Sequence, residues 1–367
     1  KMIFITAILI IHAIIVSKWI SNFRKVKKVN VQHKHKNNNQ SLELLTVIIA
    51  CKNEENSLPT LLSSLKDQTT PPHEIIIIDD NSTDSTKEIA SEFTVLENEG
   101  SGKKDAIRTG IKHCKTDWAI TTDADVVVPK TWINSISIAA SYTSASALIG
   151  PVKISPISSS IKPSVFSSIL NGAERLDYAA LMGWSISTGL YGNAAMGSAA
   201  NFAIKKTDYP TETEMKSHLA SGDDVFAIHH LVSLGKKVFA VSDPESCVEA
   251  GSAGSIKNWM RQRARWGAKA QHYSNPEAIK TSYWIAIIGL SQLTTLVLLL
   301  VDFSSTIIPL TVLWVGRASI DIIFTRKVAL WFQISTPILS WLFLAITYPF
   351  QIPIVFIYSL FFKSKWR

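Results

Sequence analysis

The sequence predicts an α/β domain with a mainly parallel sheet, set between hydrophobic helices. Short apolar runs of β type alternate with helical patterns between Leu44 and Ala250, and this alternation is typical of βαβ units. On either side, apolar stretches reach the ~20 residues that a helix needs to cross a bilayer. The 367 residues suffice for one α/β domain of about 200 to 250 residues with additional elements.

The composition indicates a protein that is partly soluble and partly in a membrane. Hydrophobic residues make up 47% of the chain, beside 37 Lys+Arg and 29 Asp+Glu. The single cysteines Cys51, Cys114 and Cys247 form no C-x-x-C pair, which indicates a reducing environment. Much of the basic excess lies beside apolar segments, and no zinc-finger or RNP-type signature occurs. We therefore expect membrane lipids and a diphosphate as partners, and no nucleic acid.

The first apolar stretch, Met2 to Ile20, predicts a transmembrane signal anchor over residues 1–21. A cleaved signal peptide is the alternative, but no small-residue cleavage site follows the stretch. The basic run Arg24 to Lys36 comes directly after it and is expected in the cytoplasm by the positive-inside rule. Residues 22–43, with the Asn-rich stretch Asn37 to Gln40, are predicted to be a basic linker.

Three strands stand out in the predicted α/β domain, residues 44–250. They are Thr46 to Ala50, Glu74 to Ile78 and Trp118 to Thr122. The unbroken run Ile75 to Ile78 favours a central strand that is buried on both faces. In an open α/β sheet, ligands bind beyond the carboxyl ends of such strands.

Residues 281–362 are predicted to form a membrane region of three or four segments. Tyr283 to Val301 is one candidate span, and Thr306 to Phe324 is a second, interrupted by Arg317 and Asp321. These two residues share one helix face. The pair lies either inside a helix bundle or on an amphipathic helix at the membrane surface.

The last apolar stretch, Val328 to Phe362, is too long for one ordinary span and too short for two. Prolines can break it, and basic residues on both sides point to the cytoplasm. This pattern favours a hairpin or re-entrant segment. The prolines and basic residues are Pro337, Pro349, Pro353, Arg326, Lys327, Lys363, Lys365 and Arg367.

Two acidic motifs follow predicted strands. Asp79 and Asp80 can accept hydrogen bonds from a base or a ribose, whereas an Asx-type turn is the simpler alternative. Asp123 and Asp125 lie two apart on an extended segment, so both carboxylates can face one cation and its diphosphate. Mg²⁺ or Mn²⁺ suits such oxygen ligands, although turns also produce Asp-x-Asp.

Two further motifs lie nearer the second hydrophobic region. Asp223 and Asp224 precede an apolar helical run, where they can cap the helix or take a proton from a hydroxyl. Gln262, Arg265 and Trp266 share one helix face and can present amide, guanidinium and indole to one ligand. The same segment, residues 251–280, also fits an amphipathic interfacial helix, and both roles are compatible.

These motifs, in this order, resemble those of the family 2 glycosyltransferases, which have a Rossmann-like GT-A fold. The membrane-bound branch with cellulose, chitin and hyaluronan synthases and ceramide glucosyltransferase is the most similar. The resemblance runs from about Thr46 to Trp266. Its residues are Asp79-Asp80, Asp123-Ala-Asp125, Asp223-Asp224 and Gln262-Arg-Ala-Arg265-Trp266, with Asn53-Glu54 and Gly102-Lys103 as additional elements.

The resemblance implies an inverting transfer of a sugar from a nucleotide donor, expected to be UDP-linked, with Mg²⁺ or Mn²⁺. Asp224 would be the general base, with Asp223 beside it, and Asp125 the main metal ligand, with Asp123. The implied nucleotide and donor site consists of Asn53, Glu54, Asp79, Asp80, Lys103, Asp123, Gln262, Arg265 and Trp266.

We expect an integral protein of a bacterial inner or plasma membrane, with the catalytic domain in the cytoplasm and a lipid or glycan acceptor. A processive polysaccharide synthase is the first alternative, and a non-catalytic membrane protein is the second. The Ser-, Gly- and Ala-rich stretch Pro151 to Lys206, with Tyr178, Trp184 and Tyr191, is either an acceptor cleft or a loop-rich packing layer.

Overall fold

The computed structural model describes residues 2–34, 42–156, 163–216, 219 and 221–361. Its helices are α1 Met2–Lys34, α2 Leu58–Lys66, α3 Thr86–Ala90, α4 Lys103–His113, α5 Trp132–Tyr142, α6 Val165–Gly189, α7 Asp223–Ser233, α8 Ile256–Gly267, α9 Pro276–Val301, α10 Phe303–Trp331 and α11 Ile338–Phe361. Its strands are β1 Leu45–Cys51, β2 Glu74–Asp79, β3 Thr94–Glu97, β4 Trp118–Asp123, β5 Val126–Val127, β6 Ala147–Ile149, β7 Val152–Ile154, β8 Phe202–Lys205, β9 Val238–Ala240 and β10 Val248–Ala250.

The main sheet has the strand order β3-β2-β1-β4-β8-β6-β9. Strands β3, β2, β1 and β4 are parallel, while β8 runs antiparallel to both β4 and β6. The three strands predicted from the sequence are confirmed as β1, β2 and β4. A small second sheet, β5-β10-β7, lies beyond the turn that follows β4. The predicted α/β fold with a mainly parallel sheet is therefore confirmed.

Strands β2, β1 and β4 of the main sheet form a largely buried layer. Every residue of β1 is buried, and Ile76, Ile77 and Ile78 of β2 are at most 1% exposed, as expected for a strand covered on both faces. However, β2 lies beside the edge strand β3, and β1 has the more central place. Helix α4 packs closely on β1, because a Cβ atom at Gly110 would lie 2.4 Å from Ile48 Cγ2.

Much of the Ser-, Gly- and Ala-rich stretch is helical. The structure has the 25-residue helix α6 within this stretch, so the expectation of a loop-rich packing layer is wrong for residues 165–189. Small residues let neighbouring helices approach α6 closely: a Cβ atom at Gly183 would lie 2.4 Å from Val328 Cγ2 of α10. Helix α6 also contacts α1 and α11. It therefore joins the sheet domain to the apolar helices.

Four helices of the described part of the chain are long and apolar enough to cross a membrane. Their apolar segments are Met2–Lys25, Pro276–Val301, Phe303–Trp331 and Ile338–Tyr358. Helix α1 continues to Lys34, so the predicted change to a linker after residue 21 is wrong. The reason is that Lys and Arg are good helix formers and continue the helix into water. The Asn-rich part of the predicted linker lies outside the described residues.

The expected hairpin in the last apolar stretch is also wrong. Val328 to Trp331 complete α10, and α11 then runs as one helix of 24 residues. Pro349 and Pro353 lie inside α11, which agrees with the tolerance of membrane helices for proline. The basic residues at positions 363, 365 and 367 lie outside the described residues.

The Arg317 and Asp321 side chains form an ion pair inside the helix bundle. Arg317 Nε lies 2.6 Å from Asp321 Oδ2, and the Arg317 side chain is 7% exposed. His12 Nε2 of α1 lies 2.8 Å from the other Asp321 oxygen, and the Arg317 guanidinium lies 4.2 Å from the ring centre of Tyr348 in α11. Of the two arrangements that the sequence allowed, the structure therefore has the pair within the helix bundle, with Arg317 buried and the Asp321 side chain 31% exposed.

Candidate active site

Asp80 joins three loops at the carboxyl edge of the sheet. Its carboxylate accepts hydrogen bonds from Lys52 Nζ at 3.1 Å, Asn98 Nδ2 at 2.5 Å and the Gly102 backbone N–H at 3.1 Å. Burial by itself raises the pKa of Asp80, but these hydrogen bonds and the Lys52 charge outweigh burial and lower it. Asp80 is therefore an anion that organises the loops after β1, β2 and β3.

The neighbouring Asp79 and Asn53 form a second set of loop contacts. Asp79 Oδ2 accepts from the Ser82 N–H at 3.1 Å, which is the turn expected from the sequence. Asn53 has a positive φ of 56° and accepts from the Thr83 N–H at 2.8 Å. Glu54 begins the turn into α2, since its carbonyl accepts from the Leu58 N–H. The Asn53-Glu54 element thus lies against the loop after β2.

Lys103 brings two of the predicted acidic motifs together. It begins α4, and its Nζ contacts Asp123 Oδ1 at the end of β4. The same Nζ lies 3.7 Å from Asp223 Oδ2 at the start of α7. Burial opposes the charge on the ammonium, but Asp123 and Asp223 outweigh burial and raise the pKa of Lys103 above its ordinary value. One cation thus links residues that are 100 positions apart in the chain.

Asp223 and Asp224 occupy the first turn of α7. Neither is the capping residue, which is Gly222 with a φ of 97°, so the predicted cap is corrected by one position. A left-handed backbone of this kind suits glycine. Asp224 Oδ1 accepts from the Val225 N–H at 2.7 Å and its Oδ2 accepts from the Ala199 N–H at 3.1 Å. These bonds hold the Asp224 carboxylate at the helix N-terminus.

The two adjacent carboxyl groups differ in acidity. Burial raises the pKa of Asp224, and the neighbouring Asp223 charge raises it further. For Asp223, burial also favours the neutral acid, but the cations Lys103 and Lys269 outweigh burial and lower the pKa. Pairs of carboxyl groups with separated pKa values are typical of sites that move protons. Asp224 is the more basic member.

Sequence reasoning missed two lysines that lie near this pair. Lys269 is 8% exposed and follows α8, and its position four residues after Arg265 was the available signal. Lys104 lies directly after the predicted Lys103. Its Nζ donates to the carbonyl oxygens of Met215 and Lys216 at 2.8 and 3.0 Å, and burial lowers its pKa to about 8.

The Asp123 and Asp125 side chains are the candidates for a metal site. The extended segment ends at Asp123, and Asp125 lies in the following turn, which corrects the expectation that both lie on one strand. Among the described residues, no cluster of three or more His, Cys, Asp or Glu side chains could hold a metal. Mg²⁺ is commonly held by one or two carboxylates together with substrate phosphates. The exposed Asp125 and partly exposed Asp123 fit that smaller donor set.

Helix α8 lies where the sheet domain meets the apolar helices. Arg263 Nη2 contacts Asp177 Oδ2 of α6, and the Arg263 guanidinium lies 4.9 Å from the ring centre of Trp266. The Trp266 ring lies 5.8 Å from the ring of Tyr178. Gln262, Arg265 and Trp266 are partly buried. Sequence reasoning missed Arg263 and Asp177, because their pairing links two separate helices.

The acidic groups at the carboxyl edge of a parallel sheet, with lysines beside them, are typical of a protein that binds a nucleotide diphosphate and transfers a group from it. The sequence comparison identifies the kind of transfer. Residues 46–175 match the family model described as Glycosyl transferase family 2. Residues 46–175 therefore carry the sequence pattern of a family 2 glycosyltransferase domain, in agreement with the predicted family for this part of the chain.

Curated relatives match part of this domain. An undecaprenyl-phosphate 4-deoxy-4-formamido-L-arabinose transferase of Aeromonas hydrophila is 36% identical over 104 residues, which are 25% of this chain and 32% of the relative. A poly-beta-1,6-N-acetyl-D-glucosamine synthase of Staphylococcus epidermidis is 34% identical over 113 residues, 29% of this chain and 27% of the relative. The chain thus spans about a third or less of these relatives' lengths.

Solved structures resemble the whole chain only loosely. The mannosyltransferase PcManGT from Pyrobaculum calidifontis, in complex with GDP-Man and Mn²⁺, has a TM-score of 0.46 at 13% identity, covering 97% of this chain and 100% of that one. Residues 1–349 of S. aureus TarS have a TM-score of 0.40 at 16% identity, covering 79% and 91%.

Proposed function

We propose that the protein transfers a sugar from a nucleotide donor, preferably a UDP-sugar, to a lipid or lipid-linked acceptor at the cytosolic face of a membrane. The single observation that carries this proposal is the position of Asp224. It is a buried, comparatively basic carboxylate next to the Lys103–Asp123–Asp223 contacts. It is connected to Tyr178 of α6 through Ser198 and Ala199.

On the donor side, the loops organised by Asp80 would hold the nucleotide. Lys103 would face its diphosphate, and Arg265 with Trp266 would close the site from α8, because guanidinium groups bind phosphate oxygens and indoles stack on sugar rings. Asp123 and Asp125 would hold Mg²⁺ or Mn²⁺. When bound, such an ion supplies charge stabilisation for the departing diphosphate.

On the acceptor side, Asp224 would take the proton from the acceptor hydroxyl. The hydroxyl oxygen would then attack the anomeric carbon in line with the departing diphosphate, and this attack inverts the configuration at that carbon. A base with a raised pKa is suited to this step, since it binds the proton more strongly than an ordinary aspartate. The Ala199 N–H bond orients the carboxylate. Lys103 and Lys269 keep Asp223 ionised beside it.

The acceptor assignment rests on the four apolar helices and on a relative. The helices allow the sheet domain to lie at a bilayer surface, and the Aeromonas hydrophila relative is by its name a transferase to undecaprenyl phosphate. The basic residues Arg24 and Lys25 lie at the end of the first candidate span and support a cytosolic sheet domain by the positive-inside rule. A bacterial inner or plasma membrane is the proposed location.

Replacement of Asp224 by Asn tests the proposal. We expect turnover of a labelled UDP-sugar, with Mn²⁺ and a membrane lipid extract, to fall about 10²- to 10⁴-fold, because a general base is lost. Stabilisation by UDP should persist, since bound ligand raises the melting temperature by mass action. Asp67→Asn, at an exposed carboxylate after α2, is the control and should retain turnover. Wild-type turnover in the Asp224 variant would contradict the assignment.

A processive polysaccharide synthase is the second candidate, favoured by the local similarity to the Staphylococcus epidermidis synthase. The two candidates differ in the length of the product. In the same membrane assay, a single sugar on a chloroform-soluble lipid supports the first candidate. A long water-soluble polymer that grows while bound to the enzyme supports the second.

A further inference from the structure

A cavity of about 470 Å³ lies between α1, α6, α8, α9, α10 and α11. This volume is in the range of small-molecule binding sites. Most of its wall is apolar and comes from the candidate membrane-spanning helices and α6, with Leu181, Ile285, Ile288, Leu344, Ile352 and Val355 as examples. The cavity therefore offers a mostly apolar site among the candidate membrane-spanning helices.

The charged side chains in the described cavity wall are already paired with one another. Arg263 contacts Asp177, and Arg317 pairs with Asp321. His12 uses both ring nitrogens, since Nε2 bonds to Asp321 and Nδ1 lies 3.1 Å from the Trp284 indole nitrogen. Within the described part of the wall, the unpartnered donors include the Trp19 and Trp184 indole N–H groups and Arg263 Nε, which are few for the many hydroxyl groups of a glycan. An uncharged, apolar occupant fits it better.

One end of the cavity adjoins the candidate active site. Trp266 lines the cavity, and its ring contacts Tyr178. The Tyr178 hydroxyl lies 3.3 Å from Ser198 Oγ, and the next residue, Ala199, donates its N–H to Asp224. An amphiphile with its tail in the cavity would therefore have its head group near the proposed base.

The same end offers a hydrogen-bond donor for a head group. Arg263 Nε is buried and has no hydrogen-bond partner within the described part of the chain, although Nη2 of the same guanidinium contacts Asp177. A buried donor without a partner is unfavourable by itself. An ester, hydroxyl or phosphate oxygen of a lipid would satisfy it without entering the apolar part of the cavity.

We propose that this cavity binds the hydrocarbon chain of the acceptor lipid, with the head group at the Arg263–Trp266 end. This inference rests on the proposed function and adds to it a binding site and a ligand chemistry, an acyl or isoprenoid chain. The acceptor would thus be held within the helix bundle, with its hydroxyl directed to Asp224.

Photo-cross-linking tests the occupant. The full chain is placed in phosphatidylcholine nanodiscs with either a diacylglycerol that carries a diazirine in its acyl chain or an isoprenoid alcohol that carries a benzophenone. The cross-linked residues are then mapped by mass spectrometry. We expect one of the two probes to label cavity residues such as Leu181 and Leu344, and the arm that labels them identifies the acyl or the isoprenoid source.

A pair of neighbouring substitutions on α11 provides the decisive control. Ala345 lines the cavity, so Ala345→Phe should reduce cavity labelling about tenfold by filling the space. Ile346 is 58% exposed, so Ile346→Phe should leave labelling unchanged. If Ala345→Phe does not fold, Ala318→Phe is used in its place. Ala318 lies in the cavity wall on α10, so this substitution should reduce cavity labelling in the same way. Equal labelling in all variants, or labelling of outward residues only, would overturn the proposal.

A separate readout distinguishes failure of the cavity from failure of the transferase. Hydrolysis of a UDP-sugar in the absence of added lipid, with water as the acceptor of the sugar, releases UDP without any use of the cavity. If the wild type releases UDP but no probe labels the cavity, the cavity proposal fails and the transferase stands. If cavity labelling occurs without any UDP release, the cavity binds lipid but the proposed function fails. If an added oligosaccharide, and not an added lipid, prevents the probes from labelling cavity residues, the cavity binds a glycan and the proposal is overturned.

Discussion

Two regions contain pairs of basic and acidic side chains, but the pairs are arranged differently. One is the carboxyl edge of the sheet around Lys103, Asp123 and Asp223, called the donor edge below, and the other is the helix bundle around the cavity. At the donor edge, the single ammonium of Lys103 is shared by Asp123 and Asp223, and Asp123 remains 35% exposed. In the bundle, Arg317 is 7% exposed and lies between Asp321 and the Tyr348 ring. The donor edge thus has carboxylates in excess, whereas the bundle pair is balanced.

This difference distinguishes charged side chains that can bind a ligand from charged side chains that stabilise the fold. Carboxylates that share one cation at an accessible edge can bind a further cation when a diphosphate arrives. A balanced pair inside apolar surroundings has no such capacity, and removal of one partner leaves a buried charge. We therefore expect changes at the donor edge to affect activity, and changes in the bundle to affect stability.

The largest stability effect is expected from Asp321→Asn, which leaves the Arg317 charge without its carboxylate. Loss of one partner of a fully buried pair costs about 3–5 kcal/mol, and the 31% exposure of the Asp321 side chain places the expected loss at the lower end of this range. Thermal unfolding in detergent, followed by tryptophan fluorescence, measures the loss. Asp302→Asn, at the exposed N-cap of the same helix, is the matched control and should leave stability nearly unchanged, because Asn and Asp cap helices about equally well. Binding of UDP by the folded Asp321 variant should equal that of the wild type.

At the donor edge, we expect Asp123→Asn to have the opposite profile. Turnover of the UDP-sugar should fall about 10²- to 10³-fold, because a preorganised charge near the diphosphate is lost, while the melting temperature stays close to that of the wild type. Asp117→Asn, at the exposed amino end of the same strand, should leave both quantities unchanged. If Asp123→Asn greatly lowers the melting temperature but retains full turnover, Asp123 serves the stability of the fold, which contradicts the expected difference between the two regions.

A smaller, pH-dependent effect is expected from His229, which lies between the two regions. Its Nε2 lies 3.0 Å from the Ala195 carbonyl oxygen, and its Nδ1 accepts from the Ser274 N–H at 3.3 Å. Burial lowers the pKa of His229 to about 4, from an ordinary value of 6.5. Between these values the unfolded chain binds the proton and the folded chain does not. Stability should therefore be complete above pH 6.5 and fall by about 2–3 kcal/mol as the pH approaches 4.

Chemical denaturation across this pH range measures the effect. His229→Gln should flatten the dependence, because its side chain does not titrate. His73→Gln, at an exposed position before β2, should leave the dependence as in the wild type. A profile that His229→Gln does not change would show that another group controls acid stability.

Local pattern was a reliable guide to much of the fold. The strands at Thr46, Glu74 and Trp118 were predictable because unbroken β-branched and aromatic runs need a buried sheet. The candidate spans were predictable because bilayer thickness sets a minimum apolar length. The position at which α1 ends was not predictable, since basic residues occur in linkers and in helices equally well. The expected hairpin also failed, because proline interrupts a helix less often within a membrane bundle than in water.

The candidate site was predictable only in part. The acidic motifs could be found in the sequence because few residue types other than Asp and Glu can bind a divalent metal through oxygen and also accept a proton. The lysines Lys104 and Lys269 and the Arg263–Asp177 pair were not predictable, since their significance depends on neighbours from distant segments. The direction of the pKa shifts at Asp223 and Asp224 likewise depends on which cations the fold places beside each carboxyl group.

The sequence by itself determined the α/β class, the family resemblance of residues 46–175 and the apolar segments, because each of these depends on residue type and local spacing. Only the tertiary structure decided that Lys103 links β4 to α7, that Arg317 and Asp321 pair within the helix bundle, and that six helices line a cavity beside Trp266. The physical reason is that charge pairing and cavity shape depend on distances between segments far apart in the chain, which local spacing does not encode.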